Sequence, residues 1–359
     1  MAQRTLILLA ILAAVLSSCS DLNVGTTGAV EDAHVARVLE TGERRVAGRT
    51  QPFQRLALQL DSGLYRGDEV TVQWGGRTAL NASGLLREGD RVLVSVTRDA
   101  NSARTYTIQE IVRLPALAPI AGLLAAALLV VARLKGVASL AGLAGSVGVF
   151  LLVIVPSLRR GEDPLAAVLV GSLAVLLVAV FVVHGFNRKS IAALVGSATS
   201  LGAVAGIAAV ALPAAHITGL GSEEAVFLAV ATSIDLSRLV FAGVLLASLG
   251  ALVDMAVGQA SATFEIASID RELGRQGLYA SALNVGRDHI GSLVNTLALA
   301  YFGGTLPLLL LLSLGNAPLS LALNSETVAG SVISVLIASV GLVVCVPITT
   351  VVAVMLARR

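Results

Sequence analysis

The sequence predicts a membrane-embedded, all-α bundle of about seven transmembrane helices, preceded by a small β-barrel-like module. Three observations carry that expectation. The 359 residues are 56% hydrophobic and only 13% charged, whereas a soluble domain carries about 25% charged residues. Apolar stretches recur after residue 113, each long enough for the roughly 20 residues that a helix needs to cross hydrocarbon. Between residues 28 and 113 the apolar period changes to two, the pattern of half-buried strands.

Residues 1–19 read as a secretory signal segment: Arg4, the apolar run Thr5–Leu16, then Leu16-Ser17-Ser18-Cys19. The run is short for a spanning helix. Its last four residues resemble the lipobox of bacterial lipoproteins, in which the cysteine is lipidated, and Ser18 suits the small residue required before it. The alternative is an uncleaved anchor with Cys19 at the interface. Either way, the next segment lies outside the cytoplasm. Cys345 is the other cysteine, so neither a disulfide framework nor a zinc spacing can be built.

Residues 28–113 form the expected extracytoplasmic β module. Arg55–Leu60, Glu69–Trp74 and Arg91–Val96 alternate, and Tyr106–Val112 is a last strand running into the bundle. Asp61-Ser62-Gly63, Gly75-Gly76, Glu88-Gly89-Asp90 and Asp99-Ala100-Asn101 supply the turns. Short strands with a Gly-Asp entry suggest a small barrel, OB-like in outline. It lacks the aromatic platform of a single-strand nucleic-acid binder, and a net charge of +2 implies no nucleic-acid partner.

Residues 114–359 hold the bundle. Expected spans are Pro115–Ala132, Val137–Val155, Leu165–His184, Ile191–Leu212, Leu239–Thr263, Ile290–Leu312 and Val328–Leu356. Arg133, Lys135, Arg188, Lys189, Arg271, Arg275, Arg287 and Arg358-Arg359 fall on one side, and Arg159, Arg160 and Arg238 on the other. The positive-inside rule then puts the richer side and the C-terminus in the cytoplasm of a bacterial inner membrane.

The fifth and sixth spans carry the candidate site. Gly243, Ala247, Gly250, Asp254, Gly258, Ser261 and Glu265 recur at three- and four-residue spacing, so they share one helix face. Asp288, Ser292, Asn295, Leu299 and Gly303 do the same on the next helix. A charge at the centre of a membrane helix costs about 2.5–3.5 kcal/mol on insertion scales, so Asp254 is expected inside a tight interhelical seam. There it is either a proton relay or interhelical glue, hydrogen-bonded to Asn295 or Thr296. Gly250, Gly258, Gly291, Gly303 and Gly304 are expected to let the helices approach. Arg287 and Asp288 are expected at a helix start shaping the cytoplasmic mouth, and Glu265 in a solvated elbow with Asp270, Arg271, Glu272 and Arg275. No ligand-spaced histidines, nucleophile elbow or phosphate-binding loop accompanies them, so neither metal, cofactor nor enzyme chemistry is expected.

GALVDMAVGQASATFEI, followed by NVGRDHIGSLVNTLALAYFGGTLPLLLL, is similar to the signature of the YibE/F-like bacterial membrane proteins. The resemblance covers most of the chain and is most specific between Gly250 and Pro307. Its motif positions here are Gly250, Asp254, Ser261, Glu265, Gly286, Arg287, Asp288, Gly291, Asn295, Thr296, Gly303, Gly304 and Pro307. Gln259 and His289 stand where apolar residues are usual in that family. The resemblance implies an N-terminal hydrophobic segment, a small β region and a multi-helix bundle, and fixes no activity. The expected function is a proton-coupled transporter or permease component titrating at Asp254, acting in the lipid bilayer on a small molecule or ion. The alternative is a non-transporting envelope factor whose β module binds an envelope protein.

Overall fold

The computed structural model describes residues 29–46, 49–75, 84–98, 104–315 and 318–358. The signal segment and Cys19 lie outside the described residues. Two compact units divide at Ala127/Leu128.

The first unit is a curled antiparallel sheet. Its strands are β1 (Ala29–Val46), β2 (Arg49–Leu60), β3 (Glu69–Gly75), β4 (Arg91–Arg98) and β5 (Arg104–Ile111), ordered β3-β2-β1-β4-β5. Edge strands β3 and β5 come within 8 Å between Cα atoms but do not pair in the ladder, so the sheet curls without closing into the expected barrel. Leu56, Leu58 and Leu60 of β2 face Val35 of β1 and Val92 and Val94 of β4 in its core. Gln54 fastens the segment before β4 by exchanging two hydrogen bonds with the Leu86 backbone, at 2.9 and 2.8 Å. The central strand β1 is the element that alternation did not reveal. Its inward positions include Glu31, which is buried with one carboxylate oxygen unpartnered, so the strand does not read as apolar on one side.

Among the described residues, seven helices are long and apolar enough to cross a membrane. They are α1 (Leu114–Ala132), α2 (Leu134–Arg159), α3 (Pro164–Val182), α4 (Arg188–Ala214), α6 (Leu236–Ile269), α7 (Arg275–Leu314) and α9 (Glu326–Ala357). Two short helices, α5 (Glu223–Ala231) and α8 (Leu319–Asn324), lie between them. A π-helical segment widens α2 at Phe150–Ile154, before its final turn, and another forms the last turn of α3 at Val178–Val182. Glycines let these two helices approach: Gly145 lies against Val178 and Gly171 against Ile154. α1 contains no buried residue.

Helix α6 is the hub, packing against α3, α4, α7 and α9. At its N-terminal end Arg238 pairs with Asp163, which also caps α3 by accepting from the Ala166 amide at 3.0 Å. At its C-terminal end the elbow Asp270–Gly274 leads into α7. The Asp270 carboxylate accepts from the Leu273 amide at 3.0 Å, and Arg358 donates to the Asp270 and Leu273 carbonyls at 2.8 and 2.9 Å. Asp270, Arg271, Glu272 and Arg275 are exposed, as a solvated elbow requires.

Candidate functional site

The inward face of α6 is closed by neighbours that small residues admit. Gly196 of α4 lies against Thr349 of α9, and Gly341 of α9 lies against Val204 and Leu252. A side chain at either glycine would collide, which is how glycine serves close helix packing in lipid. The Leu252 carbonyl accepts from the Ser197 hydroxyl at 3.4 Å. Gln259, 3% exposed, ties three helices together. Its amide donates to the Ala282 carbonyl of α7 at 2.8 Å and to the Thr350 hydroxyl of α9 at 2.7 Å. Gly286 of α7 leaves room for that amide. Sequence reasoning missed Gln259 as the polar pin of the bundle; a lone glutamine between small residues was the available signal.

The candidate seam faces the other way. Gly243, Ala247, Gly250, Asp254, Gly258 and Glu265 are exposed, and the buried stripe of α6 is instead Leu245, Leu249, Leu252, Met255, Ala256, Gln259 and Thr263. This corrects the expectation that Asp254 is enclosed between α6 and its neighbours: no described helix covers it. The physical reason is competition for the hub face: the leucine, methionine and glutamine stripe buries more apolar area and finds polar partners in α4 and α9. Helix α7 is turned the same way. Ile290, Leu293, Val294 and Leu297 pack on the core, while Asp288, Ser292, Asn295 and Thr296 are exposed. Among the described residues, a Cβ added at Gly250, Gly258, Gly291, Gly303 or Gly304 would meet nothing within 4 Å, so these glycines pack against no described helix.

Three further expectations change with the geometry. The Thr296 hydroxyl donates to the Ser292 carbonyl of its own helix at 2.9 Å, and neither it nor Asn295 bonds Asp254. Arg287 and Asp288 do not start a helix, because α7 begins at Arg275 and its polar first turns continue the apolar stretch. Arg287 donates to the Asn284 side chain at 2.9 Å rather than pairing with Asp288. Because α6 and α7 run antiparallel through the Gln259–Ala282 bond, residues five steps beyond it are level: Asp254 and Arg287, each about 7.5 Å farther along its helix. Arg287 therefore shares Asp254's depth, whereas Asn295 lies about 12 Å farther on.

Two clefts flank Asp254 along its stripe. One, of about 580 Å³, is lined by Gly243 and Ala247 of α6, Tyr301 of α7 and Gly330, Ser331 and Ser334 of α9. The other, of about 590 Å³, lies at the elbow end and includes Val257, Ser261 and Phe264 of α6 with Lys135, His184 and the start of α4. Ser261 is thus the predicted site residue that the structure does place in a cavity. Partial burial, and then the Lys135 charge, push the His184 imidazole below its ordinary pKa. Among the described residues, no group of three or more His, Cys, Asp and Glu side chains is placed to hold a metal ion.

A family model described as YibE/F-like protein matches residues 120–359. No curated protein and no solved structure matches the chain.

Proposed function

The chain belongs to the YibE/F-like family, and from that membership and the geometry of α6 we propose that it is a proton-coupled transporter or permease component of the bacterial inner membrane. Family and helices together point to a multi-pass membrane protein. In this reading the elbow end and the C-terminus are cytoplasmic, because Lys135, Arg188, Lys189, Arg271, Arg275 and Arg358 gather there. The β module is then outside.

The observation that carries the proposal is the place of Asp254. It stands mid-helix on a stripe whose Gly243 and Ala247 line one cleft and whose Ser261 lines the other. A carboxylate between two end clefts is placed to take a proton from one side and release it to the other. Arg287 supplies a cation at the same depth along the neighbouring helix. Asn295 and Thr296 extend the polar stripe toward the outer side, and Ser261 and Glu265 toward the cytoplasm, while Asp288 stands one residue past Arg287, close to the level of Asp254.

An acid on an outward face cannot rest against acyl chains at acceptable cost. The seam of a component is closed by protein, and a second copy is the simplest cover. A two-fold axis along the membrane normal brings equal depths together, so Arg287 of one copy comes level with Asp254 of the other.

The test is complementation of a deletion phenotype at matched membrane levels. Asp254→Asn is expected to abolish function and Asp254→Glu to retain part of it; full complementation by Asn would overturn the relay. The separate hydrophobic core of the β-sheet favours the second reading, an envelope factor. That reading gains if deleting residues 29–111 destroys function while Asp254→Asn is harmless.

A further inference from the structure

The elbow-end cleft is cationic beyond what a proton path needs. Lys135 enters from the start of α2, Arg188 and Lys189 from the first turn of α4, and His184 from the end of the α3 segment. Among the described residues, no carboxylate lines the cleft. Among the described residues, none of the three fixed cations forms a salt bridge; the ion pairs of this chain involve other groups. Two are held in place by uncharged neighbours instead. The Arg188 guanidinium donates to the Leu356 carbonyl at 3.3 Å, and the Lys189 ammonium sits 5.9 Å from the Phe264 ring centroid. Like charges thus share one cavity with no neutralising partner among the described residues, and Lys135 acts electrostatically on His184.

Further features suit an anion. Helix α4, 27 residues long, directs its N-terminus and positive dipole end here. Asn187, Ser139, Ser190 and Ser261 add polar groups to the lining, while Val183, Ala193, Val257 and Phe264 give one apolar side. At about 590 Å³, the cavity admits a headgroup-sized ligand. Snorkelling anchors of a helix end would spread outward along the interface; here three elements converge on one cavity.

We propose that this cleft binds a phosphate group, that of an anionic phospholipid headgroup or of a free phosphate compound. Basic pockets between membrane helices on the cytoplasmic side take such headgroups. This proposal rests on the cleft's own cations and not on the role proposed for Asp254.

The experiment uses the full-length protein in detergent, with bound lipid counted by native mass spectrometry. One arm titrates phosphatidylglycerol, a second phosphatidylcholine, and a third adds inorganic phosphate as competitor. Phosphatidylglycerol is expected to bind in preference to phosphatidylcholine, and Lys135→Gln/Arg188→Gln/Lys189→Gln to weaken it by about a hundredfold. Arg159→Gln/Arg160→Gln, at the other end, and Asp254→Asn are expected to leave it unchanged. Competition by inorganic phosphate assigns the site to free phosphate compounds, and its absence to the lipid. Equal binding by the triple variant and wild type would overturn the proposal, as would equal loss in the Arg159/Arg160 variant. If the triple variant does not fold, Lys189→Gln alone decides, with a several-fold loss expected and no loss contradicting the site.

Discussion

The two faces of α6 use the same small and polar residue types to opposite ends. On the inward face every chemically costly group has a partner: Gln259 has Ala282 and Thr350, and Ser197 has the Leu252 carbonyl. Its neighbours' glycines are filled by side chains across the interface. On the outward face Asp254 has no salt-bridge partner among the described residues, and Gly250 and Gly258 meet nothing. The difference teaches that polarity in a membrane helix has two uses. One builds the bundle, and the other stands exposed among the described residues.

The widest separation between the faces comes from adding bulk. Gly341→Leu should prevent accumulation of folded protein, because overpacking a close contact costs about 1–3 kcal/mol or more. Gly250→Leu should accumulate normally and lose function. Immunoblots of membranes and gel-filtration profiles decide it, and equal behaviour of the two variants would erase the distinction.

A second approach asks what covers the outward seam. Gly250→Cys in an otherwise cysteine-free chain should give a cross-linked dimer in native membranes under mild oxidation. Cysteine at Gly341, buried in the bundle, should give none. Exclusively monomeric Gly250→Cys would remove the second copy from the proposal.

Polar pinning gives a smaller effect. Gln259→Leu should lower the melting temperature in detergent, since an interhelical hydrogen bond in such bundles contributes about 0.6 kcal/mol, with roughly 1.7 the largest measured. Asp254→Asn should melt with the wild type. If instead Asp254→Asn is the less stable, its role is structural.

The smallest effect lies at the α3 and α6 ends. The Ala166 amide bond, and then Arg238, hold Asp163 below its ordinary value of 3.8. A folded-state value below the unfolded one adds stability that is full above the unfolded value and is lost as pH falls through the folded one. Melting temperature should therefore decline below about pH 4, and Asp163→Asn should flatten that decline.

Hydropathy located the seven long apolar helices of the described residues because apolar composition is legible directly, yet it set their ends by apolar content alone. Ile290–Leu312 belongs to a helix that begins at Arg275, since RQGLYASALNVGRDH continues α7 without needing lipid. That extension moved Arg287 and Asp288 from a helix start to the depth of Asp254. Strand β1 escaped notice because Glu31 occupies an inward position. The residue set of the seam was legible from spacing, but the direction it faces was not.

Sequence by itself determined which segments are apolar enough to span, which strands alternate, and which residues share each helix face, since all three follow from composition and period. Only the tertiary structure decided which face of α6 turns inward. That choice depends on how Leu252, Met255 and Gln259 fit against α4, α7 and α9, and packing between distant segments leaves no periodic trace along the chain.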